Sequence, residues 1–77
     1  MRNWFITWDR PEYKEWATSI SGGYLLVILR KEKDRYFCVK AKLRMGQKGL
    51  PAFIVLKELY FPTEEKVIKQ ISTWQNS

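Results

Sequence analysis

Lys40, Lys42 and Arg44 alternate along one stretch of the chain. In an extended strand, alternate residues share a face and stand about 6.5–7 Å apart. That is near the repeat of successive phosphates along one nucleic-acid strand, and phosphates are what ammonium and guanidinium groups neutralise. Tyr36 begins the same row, where a phenol ring can stack on a base. Arg30, Lys31, Lys33 and Arg35 precede the row, and Lys48 follows it. From Arg30 to Lys48 there are eight basic residues against two acids, Glu32 and Asp34, a surplus equal to the whole net charge of +6. Charge concentrated in this way favours a polyanion, either nucleic acid (DNA or RNA) or an acidic protein.

Chemistry of other kinds finds little support in the residue types. The chain has no histidine and a single cysteine, Cys38. Zinc-finger and Cys/His nucleophilic designs are thereby excluded, as is an intramolecular disulfide. The glycines form neither a dinucleotide fingerprint nor a phosphate loop, and no serine lies in a nucleophile elbow. Glu12 and Lys14 make a carboxylate–x–lysine triplet without a second acid beside it. Cys38 falls in the basic outer row, where lysines favour a thiolate. No catalytic residue, metal site or cofactor is expected, and the chain reads as a binding protein rather than an enzyme. The preferred function is nucleic-acid binding through phosphate contacts. The alternative is a non-enzymatic interaction module, an inhibitor or adaptor, that meets an acidic partner with the same residues.

The elements must place that row on a surface. The 77 residues make one domain, 1–77. So small a core gains from aromatic mass, here four Trp, four Tyr and four Phe, or from a homodimer. No apolar run is long enough to cross a membrane, and a cytoplasmic protein is expected.

Trp4–Trp8, rich in aromatic and β-branched residues, reads as a strand. Asp9, Pro11 and Glu12 resemble a helix start, and Tyr13, Trp16, Ala17 and Ile20 fit one helical face, which predicts a helix over 10–21. Gly22-Gly23 would stop it. Tyr24–Leu29 is apolar at every position, as in a strand covered on both faces. Such a strand–helix–strand unit would place the first two strands parallel.

The turn around Glu32–Asp34 lacks glycine, so a loose hairpin loop is expected. The return strand then puts Phe37, Val39, Ala41 and Leu43 toward the core and Tyr36, Cys38, Lys40, Lys42 and Arg44 outward. Residues 45–51 read as a loop. Ala52–Phe61 reads as strand in preference to helix. Thr63 caps a last helix, with Glu64 and Glu65 in its first turn and an apolar stripe of Val67, Ile68, Ile71 and Trp74. The expected architecture is a small two-layer α+β domain, in the order β-α-β-β-β-α, with a mostly antiparallel sheet and helices packed on it.

Overall fold

A computed structural model describes residues 3–46 and 49–76. Five strands run in sequence: β1 (Phe5–Arg10), β2 (Tyr13–Ile20), β3 (Gly23–Lys31), β4 (Tyr36–Met45) and β5 (Pro51–Phe61). One helix, α1 (Glu64–Gln75), follows them. The strands form a single meander in the order β1-β2-β3-β4-β5, and every neighbouring pair is antiparallel.

The expected order β-α-β-β-β-α is therefore wrong. The order is β-β-β-β-β-α, and residues 10–21 form a hairpin turn and strand β2 instead of a helix. Pro11 and Glu12 are the two turn residues between Arg10 and its partner Tyr13. Proline's fixed φ suits the first central position of a turn as well as the first turn of a helix. A lone helix of about 12 residues is marginal. As a strand, the segment pairs on both edges, with β1 and with β3. The crossover is gone as well: β1 pairs with β2, and β2 separates it from β3.

Gly22 and Gly23 close the β2–β3 hairpin. Gly22 has φ +82°, in the left-handed region that glycine adopts without steric cost. Gly23 pairs with Arg44, and a Cβ there would overlap the carbonyl oxygen of Leu43. Position 23 thus needs glycine for close backbone approach.

β5 is a strand over Pro51–Phe61, as its β-branched and aromatic content leads one to expect. In α1, Thr63 is the N-cap, its hydroxyl accepting from the Lys66 amide at 3.4 Å. Val67, Ile71 and Trp74 are buried, whereas Ile68 is half exposed and lies off the packed stripe.

The helix packs on one face of the sheet. Val27, Cys38, Val67, Ile71 and Trp74 form the core there, flanked by Trp4, Trp16, Leu29, Tyr36, Leu59 and Phe61. Each fully buried Val or Ile side chain contributes about 1.5–3 kcal/mol. Two polar links lock the N-terminal lead into the same layer. The Trp4 indole donates to the Gln75 carbonyl at 2.8 Å, and the buried Thr18 hydroxyl donates to the Asn3 carbonyl at 2.8 Å.

On the opposite face Ala17, Leu26, Val39 and Ala41 form a second apolar cluster with Ile28, Phe37 and Leu43 beside it. Among the described residues no element covers this face. Strand β3 is covered on one side only, contrary to the expectation for its unbroken apolar run.

Candidate basic face

The register fixes which side chains share the helix-bearing face. On β4 these are Tyr36, Cys38, Lys40, Lys42 and Arg44, as the alternation implies. The helix decides their fate. With 12 residues it is about 18 Å long, whereas the ten residues of β4 span about 33 Å. It covers the Tyr36 end and leaves the Arg44 end free.

Cys38 is consequently buried beneath the helix rather than facing outward. Burial raises its thiol pKa to about 11, the reverse of the thiolate that neighbouring lysines would favour. Tyr36 is half-buried against the same core and is not a free stacking platform. Lys40 and Lys42 are half-buried and Arg44 is exposed.

Across the β4–β5 ladder Lys40 faces Lys57 directly, with Lys42 opposite Ile54 and Arg44 opposite Ala52. Directly opposed side chains have Cβ atoms about 4.5–5.5 Å apart, and like charges in that position destabilise a sheet. Among the described residues none of Lys40, Lys42, Arg44 and Lys57 has an ion-pair partner. The four cations make one uncompensated row and a half on the uncovered end of this face.

Lys57 escapes a reading of the sequence because a β-bulge precedes it. Lys40 pairs with Lys57 but Ala41 pairs with Val55, so Leu56 is the extra residue. Ile54 and Lys57, three apart, therefore share a face, and no alternation can be followed through them.

The hairpin tip is not a continuous extension of the row. Lys31 lies opposite Tyr36 on the helix-bearing face. Arg30, opposite Phe37, lies on the other face. Arg30 and Arg35 both donate to Glu32, at 3.1 and 2.9 Å. The Arg35 hydrogen bond is the main reason the Glu32 carboxyl sits below its ordinary pKa. Two of the tip cations are thus partly neutralised, while Lys33 is exposed without an ion pair among the described residues. Lys48 lies outside the described residues. The expected patch is split: Lys40, Lys42 and Arg44 gain Lys57, and Arg30 and Arg35 turn toward the open face.

There each guanidinium lies over a ring, Arg30 above Phe37 at 4.9 Å and Arg35 above Tyr60 at 4.1 Å. Arg10 lies 5.5 Å from Trp8 in the same way. A groove of about 300 Å³ runs between α1 and the β1–β2 turn, bounded by Glu12, Lys14, Trp16, Lys31, Ile68 and Gln75 among others. Among the described residues no group of three or more His, Cys, Asp or Glu side chains could hold a metal ion. No helix among them is long and apolar enough to cross a membrane. Comparison with protein-family models, curated proteins and solved structures finds no match.

Proposed function

We propose that the protein binds nucleic acid, DNA or RNA, through phosphate contacts from Lys40, Lys42, Arg44 and Lys57, with little sequence specificity. One observation carries the reading. Lys40 and Lys57 oppose each other across the ladder, with Lys42 and Arg44 in line, and no acid among the described residues pairs with them. A fold retains that repulsion at a cost, and a polyanion is what relieves it. Lys31 and Lys33 stand apart at the tip, beyond the end of β4 that the helix covers, and Arg30 and Arg35 are held by Glu32. A cytoplasmic setting belongs to the same reading, since a lone buried thiol accords with a reducing compartment.

Salt titration against single-stranded and duplex DNA and RNA tests it. Four phosphate contacts imply a log–log slope of about −2.8 on single strands to −3.6 on duplex, hence roughly 50- to 150-fold weaker binding at 200 than at 50 mM salt. A slope near zero refutes the proposal, as does binding that survives Lys40→Glu with Lys42→Glu.

The other reading is an inhibitor or adaptor that sets the same cations against an acidic protein. Nothing in the row itself separates a nucleic acid from an acidic protein, since both answer unpaired cations. A single stoichiometric protein recovered after nuclease treatment would support it.

A further inference from the structure

The face opposite the helix is a core with one layer missing. Register places Phe5, Ala17, Leu26, Ala41 and Val55 in one row across all five strands, and Tyr24, Leu43 and Phe53 in the next. A hollow of about 420 Å³ opens between these rows. Phe53 is 53% exposed and Phe5 47%, in a face whose centre is buried only by its own neighbours. A sheet apolar on one face normally buries that face against a second layer.

We propose that the second layer is another copy of this chain, the two sheets packing face to face with both helices outside. Two observations choose this occupant. The first is area. The chain exposes 5641 Å², whereas a monomeric fold of its mass exposes about 5,000 Å². The excess of about 600 Å² approaches the roughly 800 Å² that each partner buries in a standard interface.

The second is charge. Arg10, Arg30 and Arg35 on this side are matched by Glu15, Glu32 and Glu58. The face is therefore neutral on a chain of net charge +6. Two such chains repel through their basic rows and least across a surface with no net charge. A polyanion has no reason to choose this face, and an acidic partner has no charge to meet there. The arrangement would leave the Lys40–Lys57 rows on the two outer surfaces, facing away from each other.

Light scattering and sedimentation at micromolar concentration measure the result. The expected mass is twice the 9.3 kDa of one chain. Tyr24→Glu with Phe53→Glu, both at exposed positions, is expected to give a monomer with an unchanged far-UV spectrum. Ile68→Glu on the helix is expected to leave the dimer intact. A monomeric parent protein overturns the proposal, as does a dimer that survives the double substitution. Should the double variant unfold, isotope-filtered NOEs on the unmodified protein decide. Intermolecular contacts from Tyr24, Leu26, Leu43, Phe53 and Val55 support the packing. Contacts confined to the β5 edge, or none, refute it.

Discussion

Lys57→Glu should make the fold more stable and the protein worse at binding. Lys57 faces Lys40 across the ladder, and no acid offsets the pair among the described residues. Directly opposed charges are worth about 0.2–1 kcal/mol, unfavourable when alike and favourable when opposite. The substitution removes one such cost and adds one such gain, in total about 1 kcal/mol. In a domain of this size that raises Tm by about 4–8 °C. Lys57→Gln, which relieves repulsion without adding attraction, should fall between.

Thermal melts at low salt read the shift. A repeat near 1 M salt, where the screening length is about 3 Å, should erase most of it. In the binding assay the same variant loses one phosphate contact, so the salt slope falls in magnitude by about 0.7–0.9. An unchanged or lower Tm at low salt refutes the electrostatic account of the pair. A salt-insensitive gain would point to packing instead. Stabilisation with undiminished binding would refute its assignment to the nucleic-acid surface.

Three further outcomes test the fold. Burial raises the Cys38 thiol to about 11, so the unfolded chain releases this proton first. Stability from Cys38 is full below about pH 9 and declines by about 1.4 kcal/mol per pH unit up to about 11. Chemical denaturation across this range, compared with Cys38→Val, isolates the effect. Gly23→Ala meets the Leu43 carbonyl and should cost about 2–4 kcal/mol, whereas Gly22→Ala has open space and should cost only about 1 kcal/mol for its backbone conformation. Urea midpoints rank the two, and equal losses would contradict the close approach at position 23. Trp4→Phe removes the indole bond to the Gln75 carbonyl and should lower stability by about 1 kcal/mol, with faster amide exchange in the last turn of the helix.

How far the sequence reveals this fold depends on how cleanly each strand alternates. β4 alternates without interruption, so its two sets of side chains are legible, but which set meets the helix is not: Tyr36 and Cys38, expected to face outward, pack beneath it. Thr63 and the two glutamates mark the helix start unambiguously. β2 misleads because it is apolar on both faces. Trp16 and Ile20 point to the helix layer, Tyr13 and Ala17 to the open face. Together they occupy i, i+3, i+4 and i+7, the spacing of a helical stripe. Lys14, Trp16, Thr18 and Ile20 also form an alternating set, and the paired glycines after them suit a hairpin.

The burial of Tyr36 and Cys38 follows from where the helix that begins at Glu64 comes to rest. No local pattern encodes that placement. Which half of the basic row remains free is likewise decided by tertiary packing.

Two features of this chain break ordinary rules of sheet stability, and they do so on opposite faces. Lys40 and Lys57 oppose like with like, where a Val or Thr pair would stabilise the sheet. Phe5, Tyr24, Phe53 and Val55 stand exposed where a second layer belongs. Sequences usually satisfy local and global preferences together, and departures concentrate at functional surfaces. Under the two proposals each departure has its own partner, a polyanion on one face and a second chain on the other. The two effects are therefore separable by linkage, because any ligand that binds only the folded state stabilises it. Added nucleic acid should raise Tm, and Lys40→Glu with Lys42→Glu should abolish that rise while leaving the dimer mass unchanged. Rising protein concentration should raise Tm as well, and Tyr24→Glu with Phe53→Glu should abolish only this second dependence. If either pair of substitutions removed both dependences, the two faces would be one coupled surface, and the separate assignments would fail together.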